Sequence, residues 1–306
     1  MSTFSPPFRP QRLVRPMRPR ASLLLCIPLF VCGSSALLAA DPARPGLSAS
    51  QVVDKHVAAR GGRQAWQGVQ ALSMSGKMEV GAGDSIARSL RVTRGPRPKV
   101  KAPPADAPAS TDQAQASKQV QLPFTLAMQR PRKSRLEIEF AGKTAVQVYD
   151  GANGWKLRPY LNRNDVEPFT ADETKAEADK ADMDGPLIDY AAQGTKVALE
   201  GVEPVEGHEA YKLKLTTKAG SVQHIWIDTH SFLDVKVEGI PRRMDGKMRN
   251  VWVYQRDFRS VQGLMIPFVL ETAVDGYQPN HKVIVDKVTV NPKLDEAQFA
   301  KPTPKA

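Results

Sequence analysis

The chain has 306 residues with 43 basic and 32 acidic side chains, but five of the arginines fall before residue 21 and the first forty residues carry no acid. From residue 41 on, the balance is 38 basic against 32 acidic, too mild to argue for a polyanion partner. Both cysteines, Cys26 and Cys32, also lie within those forty residues, which excludes disulfides, thiol nucleophiles and thiolate metal sites from residues 41–306.

The arginines up to Arg20 precede an apolar stretch from Ala21 to Ala40, the layout of a secretory leader. Pro28, Gly33, Ser34 and Ser35 interrupt that stretch, leaving it short of the run of about 18 apolar residues that marks a membrane span. Leu25 and Val31 stand before the two cysteines, where lipidation requires a small residue. The expectation is a signal peptide over 1–40, cleaved on export, and a soluble periplasmic protein over 41–306 forming a single domain.

Ser48 and Gln51 form a capping box and Leu47 with Val52 a staple, which predicts a helix from about Ala49 that ends at Gly61-Gly62. Trp66 and Val69 continue a second short helical turn. The period then changes to two. Leu72, Met74, Met78 and Val80 alternate with Ser73, Ser75, Lys77 and Glu79, the pattern of a strand with one dry face. The alternation returns at Leu122, Phe124, Leu126 and Met128, at Leu136, Ile138 and Phe140, and at Tyr211, Leu213 and Leu215. Further strands are expected at Ile225–Ile227, Val235–Val237, Val251–Tyr254, Met265–Leu270 and Val283–Val290. Turn dipeptides such as Asp150-Gly151, Asp245-Gly246 and Gln262-Gly263 separate them, so the strands form antiparallel meanders.

Two segments break this rhythm. Residues 95–118 hold five prolines and only Val100 as a large apolar side chain, predicting a flexible Pro/Ala-rich insertion. Thr170 with Glu173 makes a second capping box ahead of alternating acids and lysines, expected to be a solvated helix laced with charge pairs. After Gly185-Pro186, Leu187, Ile188 and Tyr190 supply a short apolar turn.

Catalytic signatures are missing: no Gly-x-Ser-x-Gly elbow, no phosphate-binding glycine loop, no His-Glu-x-x-His. His56, His208, His224, His230 and His281 are scattered, and Asp228 beside His224 and His230 is the only loose approach to a metal cluster. No catalytic residue, metal or cofactor is expected. The basic residues near Arg88–Lys101 and Arg130–Arg135 lack interleaved aromatics, so nucleic acid is not expected as a partner. What is unusual is the large apolar surface on one sheet face. Met74, Met78, Phe124, Leu126, Met128, Ile138 and Phe140 suffice to line a cavity, and equally to fill a sandwich core.

Particular residues carry a resemblance. Met128-Gln129-Arg130-Pro131-Arg132-Lys133-Ser134-Arg135 resembles the Arg-Pro strand start of the LolA/LolB-like outer-membrane lipoprotein carriers, and Val148-Tyr149-Asp150-Gly151 with Trp155 resembles their next hairpin. Asp184-Gly185-Pro186-Leu187-Ile188-Asp189-Tyr190 with Gly194, Gly201 and Gly207 is similar to the branch called outer-membrane lipoprotein-sorting proteins, as are Phe258–Gly263 with Pro267 and Val290-Asn291-Pro292 through Phe299 to Pro302. The resemblance implies an incomplete, strongly curved antiparallel barrel with an N-terminal helix and short lid helices over its concave face. It implies an apolar cavity lined by Leu72, Met74, Met78, Leu122, Phe124, Leu126, Met128, Leu136, Ile138, Phe140 and Trp155, with Leu187 and Ile188 in the lid and Arg130 controlling lid opening. The implied function is a non-enzymatic carrier of a lipid or acylated lipoprotein, served by inner-membrane donor and outer-membrane acceptor proteins. A binding or sensing module that recognises a protein partner on the same sheet stays open beside it.

Overall fold

A computed structural model of the chain describes residues 46–80, 120–159, 163–277 and 280–303. The expected leader over 1–40 and the expected insertion over 95–118 lie outside the described residues. Helix α1 spans Ala49–Ala59 and is capped by Ser48, whose side chain accepts from the Gln51 amide while the Gln51 side chain accepts from the Ser48 amide. The short helix α2, Arg63–Gln67, follows a two-glycine elbow. At Gly61, φ is +111° and a Cβ would meet the Gly263 carbonyl oxygen at 2.3 Å, so only glycine lets the elbow sit against the far turn of the sheet.

Thirteen strands follow among the described residues: β1 Ala71–Val80, β2 Val120–Gln129, β3 Lys133–Phe140, β4 Lys143–Tyr149, β5 Gly154–Arg158, β6 Arg163–Pro168, β7 Lys196–Val205, β8 His208–Thr216, β9 Val222–Asp228, β10 Asp234–Met244, β11 Lys247–Val261, β12 Leu264–Val274 and β13 His281–Val290. Helix α3, Ala171–Lys180, lies between β6 and β7, and a 3-10 turn covers Glu296–Phe299. All strands belong to one antiparallel sheet in the order β6-β5-β4-β3-β2-β1-β13-β12-β11-β10-β9-β8-β7. β6 and β7 are its two edges, so the sheet is not closed into a barrel. Only β1 and β13 join distant parts of the sequence; every other ladder is a hairpin between chain neighbours.

Directly paired residues of an antiparallel ladder share a face. Leu72, Met74 and Met78 pair with Met128, Leu126 and Leu122, and Leu126 and Phe124 pair with Leu136 and Ile138. The same face continues through Val290, Val288 and Val285 to Leu264, Ile266 and Phe268, and is covered by Trp66, Val69, Met183 and Ile188. On the other half of the sheet α1 supplies Val52 and Val53 against Leu213, Leu215, Ile225 and Ile227, with Leu187 between them. This is the inner face. The outer face carries its own smaller cluster, in which Phe299 of the C-terminal segment covers Val146, Val148 and Leu157.

Several strands escaped the periodicity. β6 is Arg-Asn-Asp-Val-Glu-Pro and β7 contains Gly201 and Pro204, compositions that fit edge strands, where proline costs no ladder bond. β11 runs for 15 residues where four were expected, because its polar stretch Gln255–Ser260 is held by pairing with β12 rather than by its own alternation. Among the described residues no helix is long and apolar enough to cross a membrane.

Candidate functional site

The upper end of the inner face, where β1 begins and β2 turns into β3, is shut by residues 182–190. Met183, Leu187 and Ile188 are 6%, 2% and 1% exposed, and burying each is worth about 1.5–3 kcal/mol. Arg130 clasps this segment. Its guanidinium makes a two-pronged contact with Asp184, Nη1 to Oδ2 at 2.8 Å and Nη2 to Oδ1 at 2.6 Å. The same group donates to the carbonyls of Val69 at 2.6 Å and Trp66 at 3.0 Å, so one side chain ties residues 182–190 to both α2 and the β2–β3 turn. The hydrogen bond to Asp184 raises the Arg130 pKa above its ordinary value. The Arg130–Pro131 peptide is cis.

Other pairs add to the clasp. Arg132 meets Asp182 at 2.8 Å and Arg63 meets Asp189 at 2.7 Å. Arg60 stacks its guanidinium over the Trp66 ring at 4.3 Å, its Nη1 lies 3.5 Å from the Asp184 carbonyl, and its buried Nε has no hydrogen-bond partner among the described residues. Burial lowers the Arg60 pKa, opposed by the nearby carboxylates of Asp234 and Asp184.

The acidic helix departs from expectation. Glu173 is 9% exposed rather than solvated, and both its oxygens accept from Lys156 Nζ, at 2.5 and 2.6 Å. Lys156 belongs to the inner face, through its pairing with Gln147 and Glu167. The acids of α3 therefore dock it onto a polar corner of the sheet, and Glu177 reaches Ser134 at 3.5 Å. Alternating acids and lysines read the same whether they meet water or a buried lysine, which is why the sequence did not disclose this.

The predicted lining divides into two groups. Leu72, Leu122, Phe124, Met128 and Ile138 are buried, while Met74, Met78, Leu126, Leu136 and Phe140 are only half-buried on the same inner face. Toward the lower end, where β1 ends and β2 begins, an open hollow of about 620 Å³ is bordered by Val120, Leu122, Phe140 and Lys143 and, from the opposite alternation, by Gln121, Pro123, Glu139 and Thr144. Of the predicted lining, Leu122 and Phe140 border it. Trp155 does not join the others. It pairs with Val148, which pairs with Arg135, which pairs with Ala127, the opposite alternation, and it packs in the outer cluster with Phe299. The expected lining role of Trp155 is thus overturned by register, since a neighbour in sequence to a dry position points to the other side.

Asp228 has a local role. It accepts from the Ser231 amide at 2.7 Å, the Ser231 hydroxyl at 2.8 Å and the His230 amide at 3.1 Å, closing the β9–β10 turn. His224 instead bonds Glu238 through Nδ1 at 2.6 Å. Among the described residues no three histidines or acids converge as metal ligands. His56, 1% exposed, is held by the Phe232 carbonyl at 2.9 Å and Asp234 at 3.4 Å, a satisfied core histidine.

No family model matches the chain, and no curated protein is recognisably similar to it in sequence. Among solved structures it is similar to a LolA superfamily protein from Nitrosomonas europaea, at 12% identity over 84% of this chain and 99% of that one, with a TM-score of 0.50. It is similar to the same degree to a DUF1329 family protein from Desulfovibrio piger, at 12% identity over 83% of this chain and 98% of that one, with a TM-score of 0.50. At this identity the likeness is one of fold: the chain shares its open antiparallel sheet architecture with these two proteins.

Proposed function

We propose that this protein is a non-enzymatic periplasmic carrier that holds an acyl chain, of a lipid or of an acylated lipoprotein, along the inner face of its sheet. The observation that carries the reading is the half-buried row Met74, Met78, Leu126, Leu136 and Phe140, of which Phe140 borders the open hollow at the lower end. A protein that filled its own interior would bury them, as it buries Leu213 and Ile227 on the other half of the same face. Methionine suits such a surface because its unbranched chain adapts to ligands of varied shape. A volume of about 620 Å³ lies within the range of roughly 300–1,000 Å³ usual for small-molecule sites.

The physical need is simple. Each methylene withdrawn from water is worth about 0.8 kcal/mol, so a long acyl chain is held in a membrane by roughly 10 kcal/mol. Leaving one membrane for another requires an apolar host in between. Arg130 and Asp184 then govern access, because freeing Leu187 and Ile188 from the face enlarges the apolar surface offered to the chain. A cargo that binds the open state better than the shut one drives this change, whereas one that binds both equally leaves the lid where it was.

The test is mass spectrometry of the protein isolated from cells under gentle extraction. The expected result is copurifying lipid that Phe124→Asp or Leu126→Asp removes while the β circular dichroism persists. Protein that is lipid-free in every preparation would refute the reading, and pull-downs rich in one protein and poor in lipid would favour a sensing module.

A further inference from the structure

We propose that the β10–β11 hairpin is a docking element for an anionic bilayer surface. The β9–β10 ladder ends at Val237 opposite Ile225, and the β11–β12 ladder begins at Val251 opposite Val274. Residues 242–249 therefore pair in the sheet only with each other, through Arg242 with Arg249, Arg243 with Met248 and Met244 with Lys247, beyond the Asn250 carbonyl, which accepts from the Asp275 amide at 3.0 Å. This stretch carries Arg242, Arg243, Lys247 and Arg249 against the single acid Asp245, and the Asp245 carboxylate is already engaged by the Tyr277 hydroxyl.

None of the four cations makes an ion pair among the described residues. Arg243 bonds the Gly246 carbonyl at 3.3 Å and Arg249 lies over the Tyr277 ring at 5.6 Å. Elsewhere on the sheet the arginines Arg130, Arg132, Arg158, Arg163, Arg256 and Arg259 each meet a carboxylate. The hairpin also exposes apolar side chains. Ile240 is 60% exposed and Met248 58%, and Val222 at 50% lies at the same lower end of the strands. Unpaired cations interleaved with exposed aliphatic groups are what an interface of anionic headgroups over acyl chains recognises: the charges draw the element to the surface and the aliphatic groups enter it. A soluble polyanion would use the cations and gain nothing from Ile240 or Met248. Docking here would bring the open end of the inner face against the membrane, but the inference uses none of the lining residues and stands apart from the cargo reading.

The experiment is co-sedimentation of the isolated protein with vesicles of phosphatidylglycerol and phosphatidylethanolamine, and with vesicles of phosphatidylcholine alone, at two salt concentrations. Binding is expected to the anionic vesicles, weaker at high salt. The triple variant Arg242→Ser, Arg243→Ser, Lys247→Ser should lower the partition coefficient about 100-fold, and the double variant Ile240→Ser, Met248→Ser roughly tenfold. Failure of the unaltered protein to bind anionic vesicles, or unchanged binding by the triple variant, overturns the proposal. Full binding by the double variant while the triple variant loses it also overturns it, in favour of a soluble polyanion. Copurified lipid measured on the same variants should not change, which keeps this outcome distinct from the fate of the carrier reading.

Discussion

The two ends of the inner face are built on opposite terms. At the upper end, apolar side chains from residues 182–190 are buried, and ion pairs from Arg130, Arg132 and Arg63 fix the segment that carries them, while Lys156 docks the helix that precedes it. At the lower end the same apolar rows continue, but Met78 and Phe140 are only half-buried there and pack against the cluster's edge. Hydrophobic burial is non-directional, so it does not by itself determine where a cover sits. The charged pairs do, because Arg130 accepts only one geometry for its two prongs and two carbonyls. A cover whose place is set by polar contacts can be released by breaking a few of them, which a uniformly greasy lid would not permit.

This contrast can be broken in steps. Lys156→Met leaves the buried Glu173 carboxylate without its counter-charge and should cost about 3–5 kcal/mol in chemical denaturation, most of it recovered by the double variant Lys156→Met, Glu173→Met. Truncation separates the two ends directly. Leu187→Ala should cost about 2–5 kcal/mol, as for a fully buried leucine, whereas Leu136→Ala should cost about 1 kcal/mol because its surroundings are already open; equal costs would mean that the lower end is as filled as the upper. Arg130→Ala removes bonds to a partly exposed partner and should cost about 2 kcal/mol, with amide exchange rising over residues 182–190 and not over β8 or β9. Arg130→Lys should fall between the two, since it keeps the charge and loses the fork.

The smallest effect concerns Asp228, away from both ends. Burial tends to raise its pKa, but the hydrogen bonds from Ser231 and His230 outweigh that and hold it below the ordinary carboxylate value. A folded-state pKa below the unfolded one means that its contribution is present above the unfolded value and is lost as pH falls through the folded one. Asp228→Ala should therefore cost about 1 kcal/mol at neutral pH, and the gap from the unaltered protein should close below about pH 4. A gap that is independent of pH would sink the assignment.

The sequence disclosed those features that a local pattern controls. Both capping boxes, the glycine elbow after α1 and the alternation in β1, β2, β3 and β8 are each written within a few residues, and the structure places them as read. The antiparallel, unclosed sheet and the shared fold were legible in the same way, through turn dipeptides and the order of motifs. What was not legible depends on partners distant in the chain. Trp155 falls on the outer face because of a register set three strands away, and Glu173 is buried because Lys156 lies opposite it. Arg60, half-buried and under-satisfied beside Gly185, carries no local signal at all, and neither does the hairpin at Ile240–Asn250, whose exposure depends on where its neighbours stop.

The most direct test of the open lower end uses the methionine methyl groups as reporters in an NMR titration of isotope-labelled protein with a long-chain phospholipid. Met74 and Met78 line the half-buried row, so the account predicts that their methyl resonances shift in saturable fashion. Met183, sealed beneath the clasp, should move less. Shifts confined to Met248 on the β10–β11 hairpin, with Met74 and Met78 unmoved at saturation, would contradict a chain held along the inner face.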